Sequence, residues 1–197
     1  MNPPLTVDMI TRTAGRIPPG NFWLDSGIAV ALDGTLYVCA TGSRLVALAP
    51  DGTYKWEFKP KVYSISKATP VISADRTVYF SSGDGTLYAL NPDGTQKWAA
   101  DTGAPIAATP ILTADETIYV VNGAGLVAMS PEGKILEKVD IAGGLESSPT
   151  LGPDGTIYVA SRAGKILALA GTHGALMNSP WPKFQADLAN SGRAPRF

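Results

Sequence analysis

The chain has 197 residues, enough to bury a core, and its 16 Lys and Arg nearly balance its 17 Asp and Glu. Proteins that bind nucleic acid or an anionic membrane through a basic surface carry an excess of cations, so the sequence predicts neither partner. With 45% hydrophobic residues, 21 Gly and 16 Pro, the chain is typical of short strands joined by many tight turns.

Two features of the sequence bear on the cellular compartment of the protein. Residues 1–22 contain no apolar stretch as long as that of a signal peptide or a transmembrane helix, because prolines and charges interrupt them. The single cysteine, Cys39, excludes an intrachain disulfide. We therefore expect a cytoplasmic protein, an expectation that export of a processed or longer form would overturn.

A Thr-apolar-Tyr-apolar motif occurs four times along the chain. Its tyrosines are separated by 42, 40 and 39 residues, and they are Tyr37, Tyr79, Tyr119 and Tyr158. This period is the length of one four-stranded blade of a β-propeller. The middle strands of each repeat are apolar at nearly every position, which indicates a sheet that is covered on both faces.

The other elements of each repeat follow in a constant order. A short strand precedes the tyrosine strand. In the last three repeats it starts with Ser-Pro or Thr-Pro. Proline has no backbone N–H to donate to the sheet, and the start of a strand tolerates this loss. A Gly-rich turn leads to a third strand. A Pro-Asp-Gly or Pro-Glu-Gly turn then closes the third hairpin in the first three repeats, since its glycine accepts a positive φ. The fourth strand carries Trp56 or Trp98 in the first two repeats.

From residue 26 to about residue 178, the repeats resemble those of the PQQ-like (quinoprotein-like) β-propellers. Four residues of the second repeat resemble that family's tryptophan-docking motif, in which the indole packs on the neighbouring blade; they are Ala89, Asn91, Gly94 and Trp98. The first repeat matches through Ala47, Gly52 and Trp56. Glu137 and Asn178 replace the tryptophan in the third and fourth repeats. The resemblance implies propeller architecture.

We therefore predict an all-β propeller of four PQQ-like, four-stranded blades. An N-terminal arm (1–25) precedes the propeller domain (26–178), and a C-terminal arm (179–197) follows it. The blades cover about 26–66, 67–106, 107–146 and 147–178. A repeat array with open ends exposes an apolar face at each end. We expect two half-rings to dimerise into eight blades; the alternatives are a closed four-bladed ring, or ends covered by a protein partner or by the arms.

The sequence contains no recognisable catalytic constellation. Enzymes of the resembled family hold a quinone with a metal, and many stack the quinone on a vicinal cysteine pair. This chain has one cysteine and one histidine, His173. We predict no cofactor and no metal site, and a non-catalytic module for protein–protein interaction within a larger complex. Two alternatives stay open: a cofactor-binding quinoprotein fragment, and a surface or carbohydrate-binding module that uses Trp23 or Trp181.

One face of the propeller is the predicted binding surface. The loops before the first strand and between the second and third strands of each blade lie together there, and loops on a rigid scaffold often carry function. The residues that map to this face are Arg44, Lys67, Asp84, Asn122, Glu146 and Arg162. Their charges are of both signs, and the other interpretation is that each is an ordinary solvated loop residue.

Overall fold

In the computed structural model, residues 24–145, 147–170, 176–179 and 182–183 are described. They form fifteen strands in four antiparallel sheets, so the predicted all-β fold is confirmed. None of the described residues forms a helix, and hence none belongs to a helix that could cross a membrane. Glu146, His173, Trp23 and Trp181 lie outside the described residues.

Each sheet is one blade, and its strands are hydrogen-bonded in chain order. Blade 1 contains β1 (Leu24–Val30), β2 (Leu36–Ala40), β3 (Arg44–Leu48) and β4 (Tyr54–Phe58). Blade 2 contains β5 (Val71–Ile72), β6 (Val78–Ser81), β7 (Thr86–Leu90) and β8 (Gln96–Asp101). Blade 3 contains β9 (Ile111–Leu112), β10 (Ile118–Val121), β11 (Gly125–Met129) and β12 (Ile135–Asp140). Blade 4 contains β13 (Thr150–Leu151), β14 (Ile157–Ala160) and β15 (Ile166–Leu169).

Side-chain hydrogen bonds fix the first turn of every blade. Asp33 accepts hydrogen bonds from the backbone N–H and the hydroxyl of Thr35, both over 2.9 Å. An aspartate can replace backbone acceptors in this way two residues upstream of a threonine. The same pairing recurs at Asp75–Thr77 and Asp115–Thr117, and Asp154 accepts the Thr156 N–H. The period of about 40 residues thus repeats the turn chemistry as well as the strands.

The blades pack face to face through three apolar clusters. In the first cluster, Tyr37 of blade 1 packs with Phe80 of blade 2. In the second cluster, Tyr79 of blade 2 packs with residues of blade 3, and in the third cluster Tyr119 of blade 3 packs with residues of blade 4. Because side chains alternate across a strand, the neighbours of Tyr79 and of Tyr119 face the preceding blade. The middle strands of blades 2 and 3 therefore bury apolar side chains on both faces.

The described blades form an open half-ring, in contrast to the closed four-bladed ring that the sequence left as an alternative. In blade 4, Tyr158 is 38% exposed and Ile166 is 79% exposed, whereas Tyr119 at the equivalent position of blade 3 is 6% exposed. At the other end, Val38 and Val46 of blade 1 are each only 2% exposed and belong to a small buried cluster of that blade. Among the described residues the two ends of the half-ring therefore differ, because the end face of blade 4 is exposed and that of blade 1 is buried.

A segment near the end of the chain returns to blade 3. Leu112 donates its N–H to the carbonyl of Pro182 and accepts the N–H of Met177, both over 2.9 Å, and Leu176 bridges to Thr113. The partner of β9 on its other side is β10. Leu176, Met177 and Pro182 thus lie along the second edge of β9, whereas residues up to 178 are predicted from the sequence to belong to blade 4.

Candidate functional site

The two tryptophans of the fourth strands reach across to the next blade. Trp56 donates its Nε1 hydrogen to the carbonyl of Pro92 over 3.0 Å, and Trp98 donates to the carbonyl of Pro131 over 2.8 Å. Each indole also lies 5.7 Å, centroid to centroid, from the motif tyrosine of its own blade. Such a tilted aromatic pair adds about 0.5–1.5 kcal/mol to the burial of its surface.

Glycine is required beneath each of these indoles. A Cβ on Gly94 would stand 2.7 Å from Cδ2 of Trp56, and a Cβ on Gly133 would stand 2.8 Å from Cδ2 of Trp98. Both glycines also adopt a positive φ. The remaining residues of the motif support the blade itself: Ala89 is buried opposite Trp98 in the ladder, and Asn91 donates to the Thr95 hydroxyl over 2.8 Å.

A relay of hydroxyl groups links the first strands of the four blades. Gly27 donates its N–H to the Thr69 hydroxyl (3.1 Å), Thr69 donates to the Thr109 hydroxyl (2.8 Å), and Thr109 donates to the Ser148 hydroxyl (3.0 Å). Thr69 and Thr109 are buried. From the sequence, the Thr-Pro and Ser-Pro pairs are predicted only to be strand starts. The recurrence of a hydroxyl before proline was the signal for this contact.

The residues predicted for the binding face differ in their exposure. Lys67 and Arg162 are exposed, Arg44 lies 3.8 Å from Glu57, and Asp84 accepts the Thr86 N–H over 2.9 Å. Asn122 is buried: its amide donates to the Thr102 carbonyl over 3.1 Å, and its oxygen accepts the N–H groups of residues 124 and 125. Its side chain thus braces a turn. As a binding surface, the set stays a prediction.

A cavity of about 430 Å³ opens on this face between blades 2, 3 and 4. Its lining is mostly small and apolar and includes Ala104, Pro105, Ala108, Gly123, Leu145 and Arg162. Most pockets that orient a small ligand place several polar groups against it. Among the described residues of this lining, Arg162 is the one that carries a charge. The described lining therefore offers few hydrogen-bonding groups that could select a small polar molecule.

Beside Lys67, the loop between β4 and β5 exposes three apolar side chains that the sequence analysis did not single out. They are Val62, Tyr63 and Ile65. The Tyr63 ring covers Gly42, where a Cβ would stand 2.9 Å from the ring, and the Ile65 carbonyl lies against Gly83. In the equivalent loops of the next two blades, Ile106 and Leu145 are buried instead. The loop therefore adds apolar surface to the predicted binding face.

The residues present do not fit a quinone held with a metal. The chain has one cysteine rather than a vicinal pair, and burial between blades 1 and 2 raises the pKa of the Cys39 thiol to about 12. Among the described residues, no group of three or more His, Cys, Asp and Glu side chains could hold a metal ion. His173 lies outside those residues.

The aspartates of the turns are held ionised. Burial alone would raise the pKa of Asp75, but hydrogen bonds from Ser73, Thr77 and Lys97 hold it far below its usual range. At Asp51 and Asp93, hydrogen bonds from Thr53 and Thr95 lower the pKa of exposed carboxyl groups. A catalytic acid or base at neutral pH needs a pKa near 7. These carboxylates therefore act as turn acceptors.

The face of blade 4 that points away from blade 3 is the largest change from the repeated pattern. Tyr158 pairs with Ala168, and Ala160 pairs with Ile166 across the β14–β15 ladder, and all four side chains are exposed. The opposite side of the same strands packs on blade 3 through Ile157 and Val159. We call the exposed face, defined by these four paired residues, the open face.

Comparison with known proteins places this architecture. A family model described as outer membrane protein assembly factor BamB matches residues 6–144, more than half of the chain. The structure of BamB from Moraxella catarrhalis is 22% identical with a TM-score of 0.62, and the match covers 78% of this chain and 48% of that one. The chain therefore spans about half the length of that BamB. No curated protein sequence matches the chain.

Two enzymes share the fold at lower identity. Quinohemoprotein alcohol dehydrogenase from Comamonas testosteroni is 18% identical with a TM-score of 0.62, over 82% of this chain and 36% of that one. Virginiamycin B lyase from Staphylococcus aureus is 12% identical with a TM-score of 0.58, over 72% of this chain and 54% of that one. At these identities the likeness concerns the fold alone, and one fold hosts many functions.

Proposed function

Because the chain belongs to the PQQ-like β-propeller family described as outer membrane protein assembly factor BamB, we propose that it is a non-catalytic module that assembles with another protein through the open face of blade 4. The family description names an assembly factor, which favours this class of function over an enzyme. Fold neighbours include enzymes, so the chain's own residues must distinguish a binding role from a catalytic one.

The observation that carries the proposal is the exposure of the open face. In three successive interfaces, the face with the motif tyrosine is buried against the next blade. In blade 4 the same face presents Tyr158 and Ile166 to solvent. An exposed contiguous apolar patch on a protein commonly marks an interaction site, since burying it removes apolar surface from water.

Two further observations support a binding role over a catalytic one. The aspartates with shifted pKa values serve the turns, and the described lining of the 430 Å³ cavity on the predicted binding face is mostly apolar. The quinoprotein alternative finds no support in the donor set described above. For the carbohydrate alternative, Trp23 and Trp181 lie outside the described residues. The expected cytoplasmic location and the absence of nucleic-acid and membrane partners stay predictions.

The test compares the size of the protein in extracts of the organism that produces it. We expect the tagged wild-type chain to elute in a complex larger than its own 20.5 kDa, and the Ile166→Asp variant to elute near that mass. Ile166 is almost fully exposed, so the charge costs little core packing. Leu136→Asp, at an exposed apolar residue on the outer strand of blade 3, is the matched control and leaves the complex intact. A wild-type chain that elutes alone, or a complex that survives Ile166→Asp, overturns the proposal.

The homodimer predicted from the sequence has its own test. Light scattering on the purified chain gives twice 20.5 kDa if two copies associate. Closure of an eight-bladed ring by two copies would require blade 1 of one copy to meet the open face of the other. Val38 and Val46 on the required face of blade 1 are already buried within a single chain, so this form of dimer first needs that face to be uncovered.

A further inference from the structure

The hydroxyl relay between blades has a direction, and it is incomplete at blade 4. In each interface, the N–H of one blade's first strand donates to the hydroxyl of the next blade, from Gly27 through Thr69 and Thr109 to Ser148. Ser148 is the fourth member of the series. Among the described residues, no group accepts its N–H. A succeeding blade with a hydroxyl at the same position would supply the missing acceptor, as three blades in this chain already do.

The three interfaces between blades inside the chain indicate which kind of surface would pack against the open face. Each following blade presents large apolar side chains from its middle strands. Blade 2 presents Val78, Phe80, Tyr88 and Leu90; blade 3 presents Ile118, Val120, Val127 and Met129; blade 4 presents Ile157, Val159, Leu167 and Leu169. The open face is the counterpart of this surface.

Blade 1 of a second copy meets these requirements only in part. Its middle strands carry suitable apolar residues, but they are buried within the chain. At the relay position, blade 1 has Gly27, which offers no hydroxyl, and a Cβ there would stand 2.5 Å from the Thr69 hydroxyl oxygen. The N–H of Ser148 would therefore stay without its acceptor, and burial of an unsatisfied donor is unfavourable.

We propose that the open face of blade 4 binds the next blade of a PQQ-like half-propeller carried by a polypeptide other than a second copy of this chain. The incoming blade begins with a Ser or Thr whose hydroxyl accepts the Ser148 N–H, and it places the apolar side chains of its middle strands on Tyr158 and Ile166. This inference depends on the proposed function and names the class of partner for the same surface.

The experiment replaces Tyr158 by a photo-crosslinking residue, Tyr158→p-benzoylphenylalanine, in the full chain expressed in its own organism. After irradiation, the crosslinked peptides are identified by mass spectrometry. We expect peptides from another polypeptide that carries repeats with Ser-Pro or Thr-Pro strand starts, with the crosslink on the middle strands of such a repeat. Adding Ile166→Asp abolishes the crosslink. The same crosslinker at Leu32, an exposed apolar residue in the first turn of blade 1, is the control and does not yield this peptide.

The other results separate this inference from the proposed function. Crosslinks from position 158 only to peptides of this chain, whether within one copy or between two, overturn the inference, while the loss of the larger complex in Ile166→Asp still supports the assembly role. Crosslinks to a protein without such repeats have the same meaning for the inference. Absence of any crosslink at position 158 overturns both the inference and the proposed function.

Discussion

Trp56 of blade 1 lies so close to Gly94 of blade 2 that a Cβ on the glycine would stand 2.7 Å from the indole Cδ2. The contact joins the outer strand of one blade to the last turn of the next, at the margin of the apolar cluster between the two blades. It fixes the outer edges of the two blades relative to each other, while the hydroxyl relay fixes their first strands. An indole hydrogen bond to a proline carbonyl and a relay hydrogen bond thus flank each of the first two apolar interfaces.

We expect Gly94→Ala to destabilise the chain in two ways. An L-residue at φ +89° costs about 1–2 kcal/mol, and the new methyl group displaces the indole of Trp56. Gly164→Ala is the matched control because Gly164 also has a positive φ, +73°, but nothing lies within 4 Å of its Cβ position. Urea unfolding should show a larger loss for Gly94→Ala. Equal losses in the two variants would mean that the docking contact contributes nothing.

Removing one hydroxyl from the relay should also lower the free energy of unfolding. Thr109→Val keeps the shape of the side chain but leaves the buried N–H of Thr69 without an acceptor, which costs about 1–3 kcal/mol. Thr109→Ser retains the hydroxyl, so we expect a smaller loss from this variant. Thermal unfolding of the three proteins measures the difference. If Thr109→Ser destabilises as much as Thr109→Val, the methyl group rather than the relay is the stabilising feature.

Asp75 should make the stability of the chain sensitive to acid. The pKa of its carboxyl is lowered from 3.8 in the folded state despite its partial burial, because Ser73, Thr77 and Lys97 donate to it. A group with a lowered folded pKa contributes stability that is fully present above pH 3.8 and is lost as the pH falls from there through the folded pKa. The difference in unfolding free energy between wild type and Asp75→Asn should therefore narrow between about pH 5 and about pH 2.

A second variant separates the ion pair of Asp75 from its turn hydrogen bonds. Lys97→Gln removes the cation that lies 3.0 Å from the carboxylate and leaves the hydrogen bonds from Thr77 in place. The pH dependence of the unfolding free energy should decrease only partly in this variant, since an exposed ion pair usually contributes less than about 1 kcal/mol. A constant difference between wild type and Asp75→Asn across the pH range would contradict the assigned hydrogen bonds.

The blades could be predicted from the sequence because the residues that form each turn and strand of a blade lie within a single repeat. The period of about 40 residues, the Asp–Thr turns and the doubly apolar middle strands all lie within single repeats, so the pattern around Tyr79 also describes Tyr119. The resemblance that was drawn from these repeats is confirmed by the matching family model. Contacts between successive repeats were predictable only where the residue type is distinctive, as at Trp98.

Other contacts depend on tertiary arrangement and leave no local signal. In the sequence, Asn122 is one more polar loop residue. In the structure, its amide donates to Thr102 and its oxygen accepts two N–H groups of its own turn. The edge of β9 could have been filled by many segments, and the pairing of Leu112 with Met177 follows only from the folded path of the chain. The asymmetry between the two ends is of the same kind, since the exposure of Tyr158 depends on what lies next to blade 4.

Tyr119 and Tyr158 occupy the same place in successive repeats, and the open half-ring predicts opposite responses when they are truncated. Tyr119 is buried between blades 3 and 4, so Tyr119→Ala should cost about 3–5 kcal/mol, as the loss of a buried aromatic ring does. Tyr158 faces solvent, and Tyr158→Ala should change the unfolding free energy of the purified chain by less than about 1 kcal/mol, as is usual for surface positions. Urea unfolding at several protein concentrations measures both. A large loss for Tyr158→Ala in the isolated chain would mean that its ring is buried in solution, either by a second copy, in which case the loss depends on protein concentration, or within the chain, in which case it does not.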